Sequence, residues 1–477
     1  MLAGAARVDI TPPLPVDVLG YVRRPVAPRA IAEPLLVTGT VLRDGGATVV
    51  ILAADLAGMP LPFADRVRER VARAVGCDSA SVLINCSHTH AAPWPGALVK
   101  LGGEADGWTD LESRYWETLP DAFASAGVMA SEAAVEARVA GGVGHAPGIA
   151  VNRRERTPDG RIILGWDPAG FIDDSVPTIR IDALDGSPVA TLVSFGCHPV
   201  VVGPDVPLAG PDFVGPLRRR TEALRGGGIA VFLQGAAGNV LPLEGFFDHV
   251  GPEVVFGERL GLEAAHAVAD AEPRTMAVER LDFGSVTPIS LYRRSPAADQ
   301  SRQPLATTRR RVTLPLMEAP TLEALRAELA EREADLAARL GRGESRVTTN
   351  PVRYHIDWLR LMLAAAAAGP LPDAIEGEVW AARLGEAAVV GAPGEIFGEV
   401  GAAVRAASPA PVTIFAGYSN GVLGYVATPE EYPRGGYEPA VSHRGYGHPA
   451  PFSPDVAGII ETVSLELLEE LFGAAGA

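Results

Sequence analysis

At 477 residues the chain is too long for a small binding module and long enough to bury a sizeable core. Hydrophobic residues make up 47% and charged residues 21%, which excludes a disordered chain and a coiled-coil rod. With 41 basic against 58 acidic residues the formal charge is -17, so no nucleic-acid partner is expected. Three cysteines, Cys77, Cys86 and Cys197, are too few for a disulfide scaffold and fit free thiols in a reducing compartment. The start MLAGAARVDITPP lacks a basic segment followed by a long apolar one, and no stretch reaches about 18 apolar residues without a charge or breaker. The expectation is a soluble cytoplasmic protein without stable membrane insertion.

In chain order, the runs ATVVILAA, SVLINC, VATLVSFG, IAVFLQG, AAVVGAP and PVTIFAG read as buried strands, each ended by Gly, Pro, Asn or a polar cluster. Helix-like segments lie at 62 to 75, 253 to 270 and 455 to 472. This alternation predicts an α/β fold, with a mixed β-sheet core flanked by helices. Residues 321 to 340 carry Leu322, Leu325, Leu329, Leu336 and Leu340 on one stripe, which predicts a packed amphipathic helix. With the apolar stretch 356 to 368 it is expected to form a helical hairpin at about 320–368. The arginine-rich stretch 292 to 311 reads as a solvated connector, and 145 to 176, 203 to 216 and 427 to 454 read as long Gly/Pro-rich loops that carry function. Neither an internal repeat nor a strong linker divides the chain, so one domain over 1–477 is expected.

Chemistry enters at strand ends. Ser87-His88-Thr89-His90 follows SVLINC directly, and in extended backbone His88 and His90 share a face. A second run ends in Cys197-His198-Pro199 and a third in Pro393-Gly394-Glu395. Two imidazoles, a carboxylate and one exchangeable position suit a catalytic Zn2+ site formed by strand-end loops. Asp212, in AGPDFVG, either supports a metal ligand or contacts substrate, or it caps a turn.

The order VDITPP, ILAADL, SHTHAAP, AVNRR, CHPV, AGPDFVG, FLQGAAGNVLP, APGEIFGEV and SNGVLGYVATPEEYPRGGYE resembles the catalytic domain of neutral/alkaline ceramidases and their bacterial relatives over nearly the whole chain. The resemblance implies one Zn2+ per chain, held by His88, His198, Glu395 and Tyr425. It places His90 and Arg153 beside the scissile carbonyl, with Tyr437, twelve positions after Tyr425, contacting substrate. A metal-activated water would attack while His90 moves protons and Arg153 and Tyr437 donate to the oxyanion. Ceramidases carry GDVSP where this chain has Gly238-Asn239-Val240-Leu241-Pro242, so Leu241 replaces the motif serine, and Asn239 and Leu241, like Asp212, are candidates to contact substrate or to support the site. A zinc-dependent hydrolase of a C–N amide bond in a small or N-acylated substrate is therefore expected, rather than ceramide cleavage. Ester or lactone hydrolysis at the same site and a non-catalytic zinc-stabilised binding protein are the alternatives. The C-terminal immunoglobulin-like domain of ceramidases is not expected.

Three further signals are set aside. Gly417-Tyr418-Ser419-Asn420-Gly421 fits GxSxG, but glycines and a proline follow where a nucleophile elbow needs a helix. No spacing ties His443 or His448 to another ligand, and Cys86 and Cys197 read as small apolar residues.

Overall fold

The computed structural model describes residues 1–18, 20–21, 24, 27–95, 109–274, 276–283, 286–297 and 303–473. Its centre is a pair of β-sheets packed face to face. The larger has eight strands in the spatial order Ile229–Gln234, Pro188–Phe195, Ser175–Ala183, Val135–His145, Leu2–Asp9, Leu36–Asp44, Ala47–Ala54 and Val82–Cys86. Its outermost pairs are parallel and the pairs between them antiparallel, so the sheet is mixed, as expected. The smaller sheet orders Leu305–Pro315, Ala374–Leu384, Ala387–Gly391 and Val412–Ala416.

Alternation along the strands decides which layer each residue joins. In ATVVILAA, Val49, Ile51 and Ala53 face the smaller sheet, where they meet Trp380, Val389 and Ile414 in a shared core. Val50, Leu52 and Ala54 face the other way, onto Leu61–Val75 and Asp110–Glu132. Helices Val214–Arg225 and Pro252–Ala267 cover the opposite end of the same face. The outer face of the smaller sheet is covered by Gly398–Ala407 and Val456–Gly473, so the order of layers is helix, sheet, sheet, helix. Strands Val82–Cys86, Ala387–Gly391 and Val412–Ala416 are buried on both faces, which is why they read as continuous apolar runs.

All six predicted runs are strands, but Leu2–Asp9, Leu36–Asp44, Val135–His145 and Ser175–Ala183 were missed. Glycines and charges interrupt their apolar pattern: Gly142 lies so close to the helix above it that a Cβ would fall 1.8 Å from the Ala267 carbonyl oxygen. Three other expectations are corrected. The stretch 145 to 176 is not a loop, since Ala150–Arg156 and Ile162–Asp167 pair in a three-stranded sheet with Val240–Pro242. The stretch 292 to 311 is not a connector throughout: Arg293 and Arg294 lie on Ile289–Pro296, and Arg309, Arg310 and Arg311 on Leu305–Pro315, where Arg309 and Arg310 find carboxylates on neighbouring elements. The leucine stripe of Leu322–Gly341 is buried only at Leu325, while Leu322 and Leu340 are 43% and 48% exposed. This helix lies outboard on Arg346–Ala368, which buries Trp358, Leu359 and Met362 beneath it.

Candidate metal centre

His88 and His198 leave the ends of Val82–Cys86 and Pro188–Phe195, strands at opposite sides of the large sheet. Gln234 draws those sides together. Its backbone N–H donates to Asn85 Oδ1 at 2.8 Å, and its side-chain amide donates to the carbonyls of Ser87 (3.1 Å) and Cys197 (2.8 Å). Among the described non-glycine residues, His88, Asp212, Phe246, Tyr418 and Asn420 have left-handed backbone, with φ of 63°, 54°, 58°, 52° and 52°. Such strain persists where surrounding contacts over-determine it, and it gathers at functional sites. Gly20 serves the site by lacking a side chain: a Cβ would fall 2.3 Å from Cγ of His90.

One ring nitrogen from each of His88, His90 and His198 lies within 4.8 Å of the other two. Nδ1 of His88 faces the Ala57 carbonyl and Nδ1 of His198 lies 2.8 Å from the Ala237 carbonyl. A carbonyl only accepts, so each Nδ1 carries the proton and each Nε2 presents a lone pair. Those lone pairs lie 3.3 and 3.1 Å from Glu395 Oε2, and His90 Nε2 is 3.2 Å from His88 Nε2. Lone pairs gathered this closely in a buried site repel unless a proton or cation lies among them. Imidazole nitrogens with a carboxylate oxygen are the donor set of a Zn2+-type ion, so the residues present fit a metal.

Glu395 arrives from the other sheet. It lies on the two-residue strand Glu395–Ile396, paired in parallel register with Tyr425–Val426, so Glu395 and Tyr425 are direct neighbours. Tyr418 donates to Glu395 Oε2 at 3.2 Å and Tyr446 donates to Oε1. Burial opposes ionisation of Glu395, but the His88 and His198 imidazoles, when protonated, hold its carboxyl well below the usual range. Burial, aided by Arg153, lowers His198 to about 4, and burial with the neighbouring imidazoles keeps His90 well below its ordinary value. Burial also raises the phenols of Tyr425 and Tyr437.

Arg153 reaches the cluster from the strand Ala150–Arg156. Its Nη1 donates to His198 Nε2 at 3.1 Å, its Nε donates to Glu438 at 2.7 Å, and its Nη2 is buried without a partner. Its guanidinium lies 5.3 Å from the centre of the Tyr425 ring, which in turn packs 5.6 Å from Tyr437. His90 is flanked by Tyr21 at 4.9 Å, and its Nδ1 is also buried and unpaired.

The other three expected residues stand further back. Leu241 packs with Val151, Val200 and Tyr21, directly opposite Val151 in the register that also aligns Val240 with Asn152. Asn239 turns away: its Oδ1 accepts from Gly398 N at 2.9 Å and its Nδ2 donates to Glu399 at 2.8 Å, while its carbonyl accepts from Arg153 N. Asp212 accepts from the N–H groups of Val202 and Phe213, and burial raises its carboxyl to about 7. It lines a cavity of about 170 Å³ that also touches Ala91, next to His90.

Tyr418, Tyr446, Arg154 and Glu438 escaped the sequence reading. Tyr446 stands between Gly445 and Gly447 in a segment read as loop, and Glu438 follows Tyr437 with no spacing that marks it. The doubled arginine of AVNRR was the one visible signal, because two adjacent buried cations require countercharges. Ser419 is fully buried, and its hydroxyl is engaged with the carbonyls of Ala416 and Gly417 and with Asn85 rather than with a histidine. His443 packs edge-on against Trp358 and His448 on Tyr446, both outside the imidazole cluster. Cys86 and Cys197 are buried free thiols, and burial pushes Cys86 up to about 12. Among the described residues no helix is long and apolar enough to cross a membrane.

No family model and no curated protein matches the chain. Among solved structures, the crystal structure of neutral ceramidase from Pseudomonas aeruginosa matches with a TM-score of 0.68 and 18% identity, over 98% of this chain and 74% of that chain. A structure of ceramidase complexed with C2 matches with the same score and identity, over 99% of this chain and 75% of that one. At this identity the likeness establishes the fold: the chain has the neutral-ceramidase fold.

Proposed function

We propose that this chain is a zinc-dependent hydrolase that cleaves a C–N amide bond in a small or N-acylated substrate. The observation that carries the reading is the convergence of His88 Nε2, His198 Nε2 and Glu395 Oε2, with both Nδ1 protons tied to carbonyls. The fold shared with ceramidase, by name an enzyme acting on an N-acyl amide, supports the choice of bond.

His88, His198 and Glu395 would hold the ion, with Tyr425, beside Glu395 in the strand register, as the fourth ligand. When bound, a zinc ion supplies Lewis acidity and brings the pKa of water down to about 7. His90, kept neutral by burial, takes a proton from the attacking water and returns it to the departing nitrogen. The unpartnered Nη2 of Arg153 and the hydroxyl of Tyr437 donate to the oxygen that gains charge. Leu241, packed with Val151, Val200 and Tyr21, offers no donor or acceptor where ceramidases carry a serine, which favours an amide other than ceramide. The shared core of the two sheets supports one catalytic domain, and the free thiols support a cytoplasmic location.

The test is metal content per chain, measured after purification without added metal, for wild type and His198→Ala, followed by a panel of N-acyl amides and matched esters. Near one zinc in wild type and little in the variant, with amide turnover abolished by chelator, is the expected result. A well-folded wild type that takes up no zinc rejects the reading; bound zinc with turnover only on esters moves it to ester hydrolysis, and bound zinc with no turnover to a binding protein.

A further inference from the structure

Arg153 and Arg154 are consecutive, both buried, and lie at the edge of the imidazole cluster. Two cations in a low-dielectric site are tolerated only with countercharges. Glu438, equally buried, serves both: its Oε1 accepts from Arg153 Nε at 2.7 Å and its Oε2 from Arg154 Nη1 at 2.5 Å. Arg154 is fastened further by Glu431 at 2.7 Å and by the Gly435 carbonyl at 2.6 Å, so it anchors the segment that carries Tyr437. Arg153 is committed differently. Glu438 occupies its Nε, leaving the Nη edge to face the cluster, with Nη1 on His198 Nε2 and Nη2 free.

A guanidinium 3.1 Å from His198 Nε2 opposes any cation that this nitrogen would hold. We propose that Glu438 is a positioning and charge-balancing residue for the metal centre: its carboxylate offsets the Arg153 charge at His198 and, gripped by Arg154, aims the Nη edge of Arg153 at the reacting carbonyl. The inference rests on the proposed zinc site and adds to it a residue that touches neither metal nor substrate.

Zinc affinity, measured by competition with a chromophoric chelator, separates this role from simple packing. Glu438→Gln keeps the shape and removes the charge; it is expected to weaken zinc about 10- to 100-fold, the usual effect of losing a group that tunes a ligand. Adding Arg153→Gln removes the uncompensated cation, so the double variant is expected to recover most of the lost affinity. A double variant that binds zinc no better than Glu438→Gln overturns the proposal, because a carboxylate needed only for packing is not rescued by losing its partner. If Glu438→Gln does not fold, the double variant decides by circular dichroism: one that folds supports the charge account, and one that stays unfolded rejects it. A folded wild type that binds no zinc rejects the proposed function and this inference together, whereas zinc in wild type without rescue rejects the inference alone.

Discussion

The imidazole side and the carboxylate side of the candidate centre are held in different ways. His88 and His198 extend from strands of the large sheet, and backbone carbonyls of Ala57 and Ala237 fix their rings. Glu395 and Tyr425 sit on paired two-residue strands, and side chains orient Glu395: Tyr418, from the turn after Val412–Ala416, and Tyr446, from the segment 442–446. That segment and the turn after it are gripped from outside by the helical pair, through Arg444 bridging to Glu328 and the indole of Trp358 donating to the His448 carbonyl. The contrast teaches that imidazole geometry is part of the core, while carboxylate geometry depends on phenols and ion pairs that single substitutions can remove.

Four experiments bear on that contrast, taken from the largest expected effect down. Removing His198 is expected to abolish stoichiometric zinc without unfolding the chain, read by elemental analysis beside circular dichroism. Retained zinc would break the imidazole side of the comparison. Arg153→Gln is expected to lower kcat by about 10² to 10³ with zinc still bound, the usual cost of one oxyanion donor; a change confined to KM would place Arg153 in substrate binding instead.

On the carboxylate side, Tyr446→Phe and Tyr418→Phe each remove one donor to Glu395 and are expected to weaken zinc about tenfold, at the lower end for such partners. No change in either would show that the two-residue strand pair positions Glu395 unaided. The smallest effect is on acid stability. His198 and His355 are held at about 4 and His443 at about 3, mainly by burial, against an ordinary value of 6.5. Below pH 6.5 the unfolded chain therefore takes up protons that the native chain does not, so their contribution is complete above 6.5 and shrinks toward pH 4. Asp212, raised by burial from 3.8 to about 7, acts oppositely, its contribution falling as pH rises through that range. The expected net result for the metal-free chain is a urea midpoint that falls from pH 7 to 5, with a shallower slope in His443→Gln; an unchanged slope would remove His443 from the account.

Strand ends were the legible part of the site. His88, His198 and Glu395 each follow an apolar run closed by polar or Gly/Pro residues, and such runs are visible because their strands are buried on both faces. Arg153 and Tyr437 entered through the family resemblance and lie beside the cluster, whereas Asn239 occupies the N-terminus of Gly398–Ala407 with its side chain. The leucine stripe at 322 to 340 correctly marked a helix but not its burial, since amphipathicity states which face is apolar and not whether a partner covers it.

By itself, then, the sequence determined the alternating α/β order, the buried strands with their apolar runs, and the residue types able to hold a cation, because these depend on local periodicity and side-chain chemistry. Only the tertiary structure decided that opposite sides of the large sheet are drawn together through Gln234, that Glu395 comes from a different sheet, and that Glu438 answers two adjacent arginines. Those contacts join residues 37 to 285 positions apart, and no local pattern encodes which distant partner satisfies a buried charge.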